Sequence, residues 1–172
     1  FPKPLGKDSA KAKLYEKSLA ILGSHYQSIA AYDRSAHFFR TLYDSEEKFD
    51  QEGFTTARDG LYDAALYKEA LGDIDDSIKD FRDYMTTWPG ADDVLSTRVR
   101  IANMLRKAGQ TAKAQAAYKA IYSDKKVVAE AFDVAMSAHL SYGQMIDSRE
   151  KKLNHYRDGL RFFDKHSKAP GA

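Results

Sequence analysis

The 172-residue chain contains no cysteine. Disulfides and thiolate metal sites are therefore excluded, while a reducing cytosol and an oxidising periplasm or cell envelope both stay open as compartments. Proline is nearly as scarce. Pro2 and Pro4 lie at one end and Pro170 at the other, so Pro89 alone interrupts the interior. The stretches 5–88 and 90–169 are free of a residue that lacks the amide donor a helix needs. No apolar run approaches the ~18 residues of a membrane-crossing helix, so no direct membrane insertion is expected. No leader is visible, and a start at Phe1 rather than Met leads to the expectation of a processed or excised chain whose targeting segment or flanking domains are gone.

Motifs that carry chemistry are missing too. The sequence has no GxxxxGK[ST], GxGxxG or GxSxG. No two of His25, His37, His139, His155 and His166 stand at i, i+4, and HExxH is absent, so no helical zinc site is written here. Asp73, Asp75 and Asp76 resemble the start of a calcium loop, but its sixth position, which requires glycine, is Ile78. Helix capping accounts for these aspartates better. The expectation is a chain without a catalytic centre, cofactor or metal.

What is present reads as an ordered helical chain. Hydrophobic residues make up 43% and charged residues 30%, enough for both a core and a solvated surface. Net charge is only +2, yet residues 1–85 hold 12 Lys and Arg against 16 Asp and Glu, and residues 86–172 hold 15 against 9. An acidic and a basic end could steer a charged partner or favour head-to-tail self-association. Eleven tyrosines and nine phenylalanines could stack on RNA, but many fall at core positions, and nucleic acid is not expected as a partner.

Periodicity and punctuation divide the chain into about eight helices with short turns. Residues 1–7 are expected to be irregular, with Asp8 or Ser9 capping a first helix whose inward stripe is Leu14, Leu19, Leu22 and Tyr26. A second helix from about Tyr32 turns Ser35, Phe38, Phe39 and Leu42 inward. Asp44–Gly53 is a polar, acidic connector. Helix three runs from about Thr55 to Leu71 and ends at Gly72 as a left-handed residue. Asp73 caps helix four, which stops near Trp88 before Pro89. Asp92 or Asp93 opens helix five, Gly109 closes it, and Thr111 caps helix six. Ser123 and Asp124 cap a seventh helix ending near Gly143. A long polar helix from Asp147 reaches Phe163 or His166, and residues 167–172 form a flexible tail.

Residues 60–89, GLYDAALYKEALGDIDDSIKDFRDYMTTWP, reveal the register of a repeat. With Arg58 as position 1, Leu61 is 4, Ala64 and Ala65 are 7 and 8, Gly72 is 15, Ser77 is 20, Phe81 is 24, Tyr84 is 27 and Pro89 is 32. A copy from Glu16 places Leu19, Gly23, Ser35, Phe39 and Leu42 at 4, 8, 20, 24 and 27, with Ala30 where the turn glycine belongs. A copy from Leu95 places Ala102, Gly109, Ala114, Tyr118 and Ile121 at 8, 15, 20, 24 and 27, with Arg98 at position 4 as a departure. A degenerate copy from Ala129 has Phe132 at 4 and Gly143 at 15, but Lys151 and Lys152 at 23 and 24, as a solubilising cap requires. Small residues at 8 and 20 let paired helices approach, and large ones at 4 and 24 fill the gap between hairpins.

The pattern resembles the tetratricopeptide repeat family over about Glu16–Phe163. The resemblance implies an all-α, right-handed superhelix of antiparallel helix pairs over residues 8–166, with repeats near 16–43, 58–91 and 95–122 and a capping pair at 125–166. It also implies a non-catalytic scaffold that binds a peptide or partner helix on the concave face lined by the first helix of each pair. Carried over residue by residue, that face offers Lys17, Ala20, Ser24, Gln27 and Ser28 in the first repeat. The second offers Asp59, Tyr62, Leu66, Glu69 and Ala70, with Asp63 beside them. The third offers Ser96, Val99, Asn103, Arg106 and Lys107, with Arg100 beside them. Arg100, Asn103, Arg106 and Lys107 share one helical face, which suits an acidic peptide. The family's carboxylate clamp needs Lys and Asn where this chain has Ala20 and Ser24, so chaperone-tail recognition is not expected. The alternative role is structural, with repeats stacking end to end within a multiprotein machine. The alanine-rich repeats and the start at Phe1 fit part of a larger bacterial protein or complex.

Overall fold

The computed structural model describes residues 10–45 and 55–166, and every regular element among them is an α-helix. These are α1 (Ala10–Ser28), α2 (Tyr32–Tyr43), α3 (Ala57–Leu71), α4 (Ile74–Thr87), α5 (Val94–Lys107), α6 (Thr111–Tyr122), α7 (Lys125–Glu130), α8 (Phe132–Gln144) and α9 (Arg149–His166). Two compact units divide between Asp92 and Asp93, the first holding α1–α4 and the second α5–α9. The expectation of an all-α chain of helix pairs holds. The expected first-helix cap, most of the acidic connector and the tail lie outside the described residues. The described helices number nine rather than eight because the run expected from Ser123 to Gly143 is broken at Ala131, whose φ of −145° and ψ of 61° are not helical. No glycine or proline marks that break. The residue after it, Phe132, is buried, and its ring stacks on Phe162 of α9 at 5.9 Å.

Three hairpins share one turn. Gly72 and Gly109 have φ of +89° and +71°, and Ala30 takes the same left-handed conformation at +58°. At each, the amide of the left-handed residue donates three residues back and the next amide donates five back: Gly72 to Glu69 and Asp73 to Lys68, Gly109 to Arg106 and Gln110 to Leu105, Ala30 to Gln27 and Ala31 to Tyr26. This closes the orphan carbonyls of the first helix. The next helix then starts without a side-chain cap. Asp73 makes no capping hydrogen bond, and Thr111 is already the first helical residue of α6. Side chains do cap α3, where Thr56 accepts from the Asp59 amide at 3.1 Å, and α7, where Asp124 accepts from the Lys126 amide at 3.0 Å.

In the first unit the helices cross where residues are small. The Ser35 hydroxyl donates to the Gly23 carbonyl at 2.9 Å, and the Ser77 hydroxyl donates to the Ala65 carbonyl at 2.7 Å. These are positions 20 and 8 in both pairs, and they satisfy buried hydroxyls that would otherwise cost stability. A Cβ on Gly23 would overlap the Phe39 ring, and one on Gly60 would sit 3.1 Å from it. Phe39 therefore fills the space between the two hairpins, and its complete burial contributes about 2–3 kcal/mol. Leu14, expected in the inward stripe of α1, is 65% exposed. The stripe that α2 and α3 cover is carried by Leu19 and Ala20 instead, packed with Leu42 and Ala57.

A charged cluster ties α2, α3 and α4. Asp80 is 1% exposed and accepts from Arg40 Nη1 at 2.8 Å and from Lys68 Nζ at 2.6 Å. Arg40 also donates to Asp83 of α4 and, through two nitrogens, to Asp44. Both oxygens of the buried carboxylate are thus satisfied by cations, the condition under which a buried charge is tolerated.

In the second unit the same crossing in α5 and α6 is made by Ala102 and Ala114, both fully buried. Arg98, the departure at position 4, spans to the end of α6: Nη1 donates to Asp124 at 2.8 Å and Nη2 to the Ala120 carbonyl at 3.0 Å. The guanidinium hydrogen bond is the main reason the Asp124 carboxyl lies below its ordinary range. Gly143, expected as a turn residue, lies inside α8, where a Cβ would overlap the Tyr156 ring of α9. Gly159 of α9 does the same service for His139, whose ring would stand 2.7 Å from an added Cβ. His139 and His155 stack at 3.7 Å with an 8° tilt, and His155 Nε2 donates to the His139 carbonyl at 2.9 Å. Burial, then the neighbouring His155, pushes the His139 imidazole down to about 4, with Asp158 opposing.

Three outcomes follow from this packing. Ala30→Gly removes a left-handed alanine and should raise stability by about 1 kcal/mol in urea unfolding. Asp80→Ala strands Arg40 and Lys68 and should cost about 3 kcal/mol in the same assay, the low end for such a loss because both cations keep some contact with water. His139 has a folded-state pKa below its unfolded value of about 6.5, so its contribution is full above that pH and declines as pH falls toward 4. The thermal midpoint should therefore drop between pH 6.5 and 5, and His139→Gln should flatten that slope.

Candidate partner-binding surfaces

In the first unit the carried-over positions of α3 share one side of the helix. Leu61, Ala64 and Ala65 turn inward, which leaves Tyr62, Asp63, Leu66 and Glu69 half-buried on an arc of roughly a third of the helix circumference. Tyr62 is held from behind, edge-on against Phe81 at 5.4 Å and Tyr84 at 5.2 Å. Asp63 has its carboxyl raised above the ordinary range, by burial first and then by the charge of Asp59. One turn on, Tyr67 is pushed up to about 12 by burial, by Asp63 and by Tyr32, with a hydrogen bond from Gln27 working the other way. Tyr67 stacks on Tyr32 of α2 at 4.9 Å. This face is aromatic and excessively negative.

On α1 the carried-over positions are less available. Ala20 is 1% exposed and belongs to the core. Ser24 is bonded to Thr55 at 3.0 Å, while Gln27 and Ser28 remain exposed.

The second unit carries the basic surface on α5. Ile101, Ala102, Met104 and Leu105 are buried, which turns Val99, Arg100, Asn103, Arg106 and Lys107 toward the opposite arc. Arg106 and Lys107 are exposed, and the other three are half-buried. Arg106 and Lys107 occupy the last turn, where cations interact favourably with the helix carbonyl end. Asn103 Oδ1 accepts from the Tyr118 hydroxyl of α6 at 2.6 Å. The carboxamide is thereby oriented, with its NH₂ as the end left to donate. Position 24 thus reaches position 9 inside one hairpin. Asn103 and a tyrosine fifteen residues later were the sequence signal, concealed because an aromatic at 24 reads as core.

No family model and no curated protein matches the chain. Among solved structures, one titled "MamA RS-1 ArsTM double mutant" is similar over 88% of this chain and 96% of that one, with 13% identity and a TM-score of 0.47. At that level the likeness carries no weight of its own, and the hairpin geometry stands on the packing described above.

The Asn103–Tyr118 bond is open to direct test. Tyr118→Phe keeps the ring and removes the hydroxyl, so it should cost about 1 kcal/mol in urea unfolding, with helicity unchanged by circular dichroism. Asn103→Leu combined with Tyr118→Phe should recover part of that loss, because no polar group is then left unpaired.

Proposed function

We propose that the chain is a non-catalytic protein-interaction module in which the first helices of its hairpins present rigid binding faces. The observation that carries the reading is α5. Its buried side is a repeat-type core, and its other side ends in the exposed cations Arg106 and Lys107 beside an amide held in place by Tyr118. A surface already ordered by its own hydrogen bonds loses less freedom on binding. Such a face suits an acidic peptide or the acidic side of a partner helix, with Val99 supplying apolar contact and Arg100 further charge.

The other reading, end-to-end stacking of copies, is disfavoured by local charge. The helix that begins the described chain, α1, carries Lys11, Lys13 and Lys17 against Glu16. The last, α9, carries six Lys and Arg against three Asp and Glu. Stacking α9 of one copy on α1 of the next would bring like charges together.

The test uses a fluorescein-labelled peptide of glutamate and leucine titrated onto the full chain and followed by anisotropy. Binding should weaken with added salt and fall at least about tenfold in Arg106→Glu with Lys107→Glu. Equal binding by that variant, or none by the parent chain, would rule out α5 as the docking helix.

A further inference from the structure

The first unit leaves large apolar side chains exposed at the turns that end α1 and α3. Ile29 is 58% exposed, Tyr32 40% and Leu71 49%. Ile29 and Leu71 are the residues before the left-handed Ala30 and Gly72, so both stand at position 14 of their repeats. The equivalent residue of the second unit is Ala108. The turn needs only backbone groups at this point, so neither large side chain serves the turn itself. The Tyr32–Tyr67 stack joins the two hairpins along this edge, and Leu71 follows Tyr67 by one helical turn. Tyr32, Tyr67 and Leu71 thus form a connected apolar strip, and connected apolar exposure marks contact surfaces.

The charge around the patch specifies what covers it. Asp33 follows Tyr32, Asp63 precedes Tyr67 by one turn, and Asp73 and Asp76 follow Leu71 across the turn. Lys68, beside Tyr67 in sequence, is drawn away to the buried Asp80 at 2.6 Å, and Arg34 lies over Tyr26 at 5.4 Å. Asp63 has no cationic partner among the described residues, and its partly buried carboxylate is opposed by Asp59. A cation brought against Asp63 and the faces of Tyr32 and Tyr67 would relieve that excess and gain a cation–π contact.

We infer that the edge formed by Ile29, Tyr32, Tyr67 and Leu71 is a docking surface for a basic, apolar peptide segment, one that sets Arg or Lys beside a large aliphatic side chain. This goes beyond the proposed role of α5, which concerns a different unit and the opposite charge.

The probe is a fluorescein-labelled peptide of arginine and leucine, compared with arginine–serine and glutamate–leucine peptides on the full chain. The arginine–leucine peptide should bind at least about tenfold more tightly than arginine–serine. Tyr32→Ser with Leu71→Ser should abolish that preference with helicity retained by circular dichroism, Ile29→Ser with Leu71→Ser, which spares the stack, should weaken it, and Asp63→Asn should weaken binding severalfold. Arg106→Glu with Lys107→Glu should leave it unchanged, which separates this surface from α5. Equal binding of the arginine–leucine and arginine–serine peptides, an unchanged affinity in the Tyr32 and Leu71 double variant, or no binding of the arginine–leucine peptide would overturn the inference.

Discussion

The close crossing of paired helices at positions 8 and 20 is the constraint on which both units depend. Side chains there must be small, and where a hydroxyl is present it must find a carbonyl across the crossing. Ser35 and Ser77 meet this by donating to Gly23 and Ala65, and Ala102 with Ala114 meets it with methyl groups alone. Close approach in turn makes room on one side for a single large ring. Phe39 lies against both Gly23 and Gly60, so one side chain joins its own hairpin to the next. Adding one methyl at Gly23 would push that ring away and loosen both contacts. The faces turned away from the crossing are then free to carry residues chosen for other purposes.

Much of this was legible in the sequence because it depends on residue size at fixed spacing. Leu61, Ala65, Ser77, Phe81 and Tyr84 are all core residues in the second hairpin, and the matching residues of the first and third behave alike, apart from Arg98. Departures arise where a residue's environment, rather than its type, decides its role. Ala30 adopts the turn that glycine adopts elsewhere because the amides of Ala30 and Ala31 close the same carbonyls, and those bonds outweigh a strain of about 1 kcal/mol. Gly143 shares the spacing of a turn glycine but is used for packing under Tyr156. Leu14 falls on a helical stripe with Leu22, yet no described helix covers it. Periodicity can show that a stripe exists but not which part of it a neighbour will reach.

Candidate binding residues were legible in a weaker sense. The sequence places Tyr62, Asp63, Leu66 and Glu69 on one helical face and the cations of α5 on another, and the helices keep them there. Spacing alone does not reveal what each side chain is already doing. Asn103 is committed through its carbonyl oxygen to Tyr118, and Tyr62 rests edge-on against Phe81 and Tyr84. Ala20, counted among surface positions by analogy, is core because α2 and α3 both close over it. Such cross-helix partnerships join residues more than a dozen positions apart, beyond the reach of any local pattern.

The same reasoning explains why net charge is a poor guide to surface charge. In the first unit Arg40 and Lys68 are spent on Asp80, Asp83 and Asp44, so Lys68, next to Tyr67 in sequence, is directed to a buried carboxylate. In the second, Arg98 of α5 is paired with Asp124, while Arg106 and Lys107 of the same helix stay exposed. The buried ion pairs therefore do two things at once. They hold helices together, and they withdraw Arg40 and Lys68 from the surface. A carboxylate such as Asp80 stabilises the fold only modestly in net terms, given the cost of removing it from water. Its larger consequence is that it fixes Arg40 and Lys68 in place, and with them the alignment of α2, α3 and α4.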